Sequence, residues 1–146
     1  DYASIQLNLG LCYETLSEVE DFKDNIQKAI ESYKNSMIIF TEENYPYDFA
    51  SINANLASAY TQLSKVENTS ENLQKSFKYY TKALEVYTIE QYPVNHALVK
   101  SSMGDYFLIL SKTFDDNKKI VKAIEDAVLQ ATTTIFTFLC KRELVS

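Results

Sequence analysis

The sequence predicts an all-α fold, built as an α-solenoid of three stacked antiparallel helix hairpins. Three observations lead there. The chain repeats itself every 47 residues. Its apolar residues recur at steps of three and four, without the period-two alternation of strands. Glycine and proline number only two each in 146 residues, so regular elements are long and tight turns few. Laying residues 1–47 on 48–94 without gaps gives 19 identities, including Asp1/Asp48, Ile5/Ile52, Asn8/Asn55, Leu9/Leu56, Tyr13/Tyr60, Leu16/Leu63, Asn25/Asn72, Tyr33/Tyr80 and Pro46/Pro93. A more diverged third unit, 95–141, keeps Ala97, Val99, Met103, Gly104, Phe107 and Leu110 in phase. With a short C-terminal tail, the units are read as one array over 1–146.

The first helix of unit one is marked by Ile5, Leu9, Cys12, Tyr13, Leu16 and Val19, which form one stripe and are expected in the core. Its second helix carries Ile26, Ala29, Ile30, Tyr33, Met37 and Phe40. Unit two repeats both stripes as Ile52, Leu56, Ala59, Tyr60, Leu63 and Val66, then Leu73, Phe77, Tyr80, Leu84 and Tyr87. Unit three has Val99, Met103, Tyr106, Phe107 and Leu110, then Ile120, Ala123, Ile124, Ala127 and Ala131. Asp1, Asp48 and Asn95 share a phase just before the first stripe and are expected to cap it. Asp21, Asn68 and Asp115 are expected to cap the second. Tyr-Pro at 45–46 and 92–93 is expected to stop one unit before the next begins. Helices of about 18 residues, about 27 Å long, follow. No helix buries its stripe alone, but stacked hairpins cover one another. Gly10, Ala57 and Gly104 fall at one repeated place, where a small residue admits close helix approach.

"NLGLCY" (8–13), "NLASAY" (55–60) and "SMGDYF" (102–107) resemble the first-helix signature of the tetratricopeptide repeat, and "KAIESYKNSM" (28–37) and "KSFKYYTKAL" (75–84) its second. The unit resembles a long variant of that repeat found in tandem arrays. In unit three, Ala127 and Gln130 stand where the pattern has an aromatic and a small residue. The resemblance implies a right-handed superhelix whose first helices line a groove for a peptide or helix of a partner protein. Carried over by alignment, the groove residues are Asn8, Leu11 and Thr15, then Asn55, Ser58 and Gln62, then Ser102, Asp105 and Ile109. Ser4, Leu7, Glu14, Ser51, Ala54, Thr61, Leu98, Ser101 and Leu108 complete that surface. Apolar members such as Leu7, Leu11, Leu108 and Ile109 are read either as a partly apolar binding groove or as surface covered by a neighbouring element. Some members of the family clamp a C-terminal carboxylate with Asn at the places of Asn8 and Asn55 plus flanking cations. Here Ser4, Leu98 and Ser102 stand where the cations would, and an uncompensated carboxylate gains little.

Composition narrows the partner. Net charge is −6, which repels nucleic acid and anionic membrane surfaces. No run of 18 apolar residues offers a membrane span, and no charged-then-apolar start reads as a signal peptide. Cys12 and Cys140 lack metal or redox spacing and are expected as buried or half-buried thiols in a reducing, cytoplasmic compartment. Catalysis and cofactors find no motif: His96 is alone, in the place of Tyr2 and Phe49, and no CxxC, HxxxH or glycine-rich loop is present. Glu42–Glu43 and Asp115–Asp116 read as helix ends and turns, and Lys118, Lys119 and Lys122 as a solvated face. A non-catalytic interaction scaffold is therefore expected, with a structural spacer or self-association segment as the alternative. The first unit opens without a Tyr-Pro, as a piece cut at a unit boundary would. The last helix is expected to run on through Ile135, Phe136, Phe138 and Leu139 and to pack on a second chain or a neighbouring domain, with a cap folded against the third unit as the alternative.

Overall fold

In a computed structural model that describes residues 1–113 and 117–145, every regular element is a helix. The order is α1 (Tyr2–Ser17), α2 (Phe22–Ser36), α3 (Pro46–Leu63), α4 (Thr69–Val86), α5 (Pro93–Thr113) and α6 (Asn117–Val145). The helices fall into two compact units, Asp1–Val86 and Tyr87–Ser146. Among the described residues no helix is long and apolar enough to cross a membrane.

In the first unit α1 packs on α2, α2 on α3, and α3 on α4. The core joins Ile26, Ala29, Ile30 and Tyr33 of α2 to Ile52, Leu56, Ala59, Tyr60 and Leu63 of α3, with Ala3 of α1. Tyr33 lies over Gly10: a Cβ there would stand 2.6 Å from the ring Cδ1, so only glycine admits the ring. The Tyr60 ring stacks on Tyr79 at 5.6 Å and takes the ammonium groups of Lys34 and Lys75 at 5.5 and 5.6 Å from its centroid.

The turns within the hairpins repeat atom by atom. Ser17 donates to the Glu14 carbonyl at 2.6 Å, Ser64 to Thr61 at 2.6 Å, and Ser111 to Leu108 at 2.9 Å. Asn25 donates to the Glu20 carbonyl at 2.9 Å, and Asn72 to Glu67 at 2.8 Å. Between them Asp21 (φ 43°) and Asn68 (φ 44°) take left-handed backbone. That corrects the cap expected of Asp21, which makes no side-chain cap bond. Its service, shared with Asn68, is tolerance of positive φ, which short polar side chains supply better than most. Asp1 does cap α1, accepting from the Ser4 N–H at 3.0 Å. Asp48 and Asn95 lie inside helices instead, because Pro46 and Pro93 open α3 and α5. Tyr-Pro is thus the start of the following helix and not the stop of the preceding one: a proline at the first helical position loses no hydrogen bond and brings a preset φ. Tyr45 and Tyr92 each donate their N–H to a threonine carbonyl, Thr41 and Thr88, at 2.9 Å in both cases. Their rings meet Phe40 and Tyr87 edge-on at 5.3 and 5.5 Å.

In the second unit α5 packs antiparallel on α6: Gly104 faces Val128, while Pro93 and His96 share a cleft with Thr137 and Phe138. Ala97, Val99, Met103 and Tyr106 of α5 and Ala131 of α6 are buried. The 29-residue α6 runs on past the length of α2 and α4, as the unbroken apolar sequence indicates. Asp115 and Asp116 lie outside the described residues.

One expected core is absent. Ile5, Leu9, Cys12 and Leu16 of α1, and Val19 in the turn after it, are exposed. Ile5 is 62 % exposed while Ile52, its equivalent, is fully buried. α2 lies against that face of α3, and within the first unit no helix does the same for α1. Cys12 is consequently an exposed thiol and not a core residue, and Cys140 is half-buried.

Candidate functional site

The expected groove residues of the first unit come from two helices that the fold sets side by side. α1 presents Asn8, Leu11 and Thr15, all exposed, and α3 presents Asn55, Ser58 and Gln62, all half-buried. Glu14 joins them. Its carboxylate accepts from Gln62 Nε2 at 2.7 Å, from Ser58 Oγ at 3.3 Å, and from the Tyr33 hydroxyl of α2 at 2.7 Å. Two of the expected groove residues, Ser58 and Gln62, are therefore fixed by an internal carboxylate.

This arrangement has an electrostatic consequence. Burial, and then the negative charge of Glu14, push the Tyr33 hydroxyl well above the ordinary tyrosine range. Tyr33 stays a neutral donor, and the Gln62, Ser58 and Tyr33 groups from which Glu14 accepts are all neutral. The surface between α1 and α3 thus holds a negative charge matched to a cationic or hydrogen-bond-donating ligand and opposed to a carboxylate. Asn8, Leu11, Thr15 and Asn55 border it. Thr15 spends its hydroxyl on the Leu11 carbonyl at 3.0 Å. Leu11 and Thr15 also line a shallow hollow of about 420 Å³ with Cys12, Leu16 and Val19.

The third set lies on α5, in the second unit. Ser102 and Asp105 are exposed and Ile109 is half-buried. Ser102 donates to the Leu98 carbonyl at 3.1 Å. Leu98 and Leu108 are exposed beside them.

The sequence did not signal a cleft of about 640 Å³ inside the second unit, between the start of α5 and the later half of α6. Pro93, His96, Lys100, Ala131, Thr134 and Phe138 are among its lining residues. His96 donates from Nδ1 to the Tyr87 carbonyl at 2.8 Å, which fixes its ring at the cleft wall. Thr134 and Thr137 turn their hydroxyls to carbonyls four residues back, at 2.8 and 2.7 Å, and so offer the cleft mainly methyl groups. The length of α6 was the available signal, since only a helix outrunning its neighbours can reach back over Pro93 and Ile89. Among the described residues no group of three His, Cys, Asp or Glu side chains could hold a metal ion. No family model, curated protein or solved structure matches the chain.

Proposed function

We propose that the chain is a non-catalytic protein-interaction scaffold of the tetratricopeptide type, a right-handed solenoid of three hairpins that holds a peptide or helix of another protein on its first helices. The observation that supports this most is the pairing of α1 with α3 at the repeat register, through Glu14, Ser58 and Gln62. It leaves Asn8, Leu11, Thr15 and part of Asn55 open along one surface. An apolar residue, two amide side chains and a half-buried negative charge suit a segment that donates hydrogen bonds and carries a positive charge. The ligand expected is a basic, partly apolar peptide.

Peptide display against the full chain tests this, followed by calorimetric titration of the selected peptides. Leu11→Asp and Asn55→Ala should each weaken binding at least tenfold while leaving the melting curve nearly unchanged. If Lys78→Ala on α4 has the larger effect and both first-helix variants bind normally, the ligand lies elsewhere and the groove is wrong. A second reading, a spacer or self-association segment, is favoured by the exposed apolar face of α1.

A further inference from the structure

α1 and α3 are nearly the same helix twice, yet only α3 is covered. Ile52, Leu56, Ala59 and Leu63 are buried in the cluster that α3 shares with α2. The matching Ile5, Leu9, Cys12 and Leu16 are exposed. Polar contacts define the seam by which α2 covers α3. Lys23 and Gln27 both reach Glu67, at 2.6 and 2.8 Å, and Lys34 sits over the Tyr60 ring. The counterparts in the first hairpin are Glu20, which is exposed in the turn after α1, and Tyr13 of α1. Tyr13 has Lys28 of its own hairpin over its ring at 5.7 Å, as Tyr60 has Lys75. Among the described residues it has no counterpart of Lys34.

The chain contains a helix of the matching kind. Ninety-four residues, two repeats, after Gln27, Ile30 and Lys34 stand Val121, Ile124 and Val128 of α6. Val121 and Val128 are each 43 % exposed and Ile124 is half-buried. α6 therefore shows an apolar seam at the positions with which α2 grips α3, and α1 shows the apolar seat that α3 offers to α2.

We propose that copies of this chain join head to tail, with α6 of one copy seated antiparallel on α1 of the next in the register of α2 on α3. Val121 then lies beside Glu20 of the second copy and Val128 beside its Tyr13, with Ile5, Leu9, Cys12 and Leu16 covered. The contact uses two different surfaces, so one pairing leaves a free seat and a free seam, and association continues as an open series. The inference rests on reading α6 as the third second-helix of the repeat and not on the first-helix groove, so either can fail alone.

Sedimentation velocity on the full chain over a hundredfold concentration range tests it. The wild type is expected to grow through dimer and larger species. Leu9→Lys blocks the seat and Val121→Glu sets a like charge beside Glu20; each alone is expected to remain monomeric where the wild type associates. Mixed, they are expected to form a heterodimer that stops at two, because one supplies the intact seam and the other the intact seat. Glu20→Lys combined with Val121→Glu is expected to restore growth. Ile5→Lys, at a still more exposed position, is an independent block of the seat should Leu9→Lys disturb the helix content seen by circular dichroism. A monomeric wild type throughout the range overturns the proposal. So does Val121→Glu associating like the wild type, which would mean that α1 pairs with something other than α6. Failure of the mixture to form the heterodimer also overturns it.

Discussion

Gly10 and Gly104 occupy the same phase of the repeat, yet their surroundings give them opposite roles. A methyl group at Gly10 collides with the Tyr33 ring, whose hydroxyl is tied to Glu14 and cannot swing away freely. Overpacking of this kind costs about 1–3 kcal/mol and outweighs the helix-propensity gain of about 1 kcal/mol. At Gly104 the nearest atom is a Val128 methyl at 3.6 Å, an ordinary contact. Gly10→Ala is expected to lower stability in urea and Gly104→Ala to raise it by up to about 1 kcal/mol. Tyr33 itself predicts an alkaline effect. Its hydroxyl pKa is raised in the fold by burial and by Glu14, so the fold favours the neutral form. The stability this contributes is complete below the unfolded tyrosine value of about 10 and declines as pH rises above it. Urea midpoints measured from pH 8 to 11 should fall at the alkaline end, and Tyr33→Phe should fall less.

For the individual elements, the hairpin turn is where the sequence pattern was clear and its meaning was not. Asp21 and Asn68 recur at 47 residues, but a short polar residue before a helix serves equally as a side-chain cap or as a left-handed hinge. The backbone decides for the hinge. Asp21→Gly should then stabilise by about 0.5–1 kcal/mol, whereas Asp21→Val should cost about 1–2 kcal/mol, measured by thermal melting. A cap role would make both substitutions destabilising. The helices, their pairing and the burial of Tyr33, Tyr80, Ile52 and Leu56 were all legible, because periodicity reports which residues share a face. It does not report whether a neighbour covers that face, which is why Ile5 and Leu9 read as core. Glu14 was legible only as a groove position. Its equivalents are Thr61 and Leu108, so no repeated signal marked a carboxylate binding Tyr33, Ser58 and Gln62.

For the molecule as a whole, each helix face takes its energetic weight from its neighbour. Leu56 is fully buried and Leu9 is 37 % exposed at the same repeat position. Leu56→Ala is expected to cost about 2–5 kcal/mol, and Leu9→Ala under about 1 kcal/mol at concentrations too low for association. Comparable losses at both sites in dilute solution would mean that α1 has a cover after all. The order of packing in the first unit has one more consequence, and it is kinetic. Each helix there packs chiefly on the helix next to it in sequence, and the side-chain tie from Gln62 to Glu14 spans only 48 residues. The chain ends that must find each other are never far apart, so little loop-closure entropy stands before the first productive contacts. Refolding of this unit should belong to the fast, low-contact-order class, finishing in milliseconds or less, with a nucleus able to start in either hairpin.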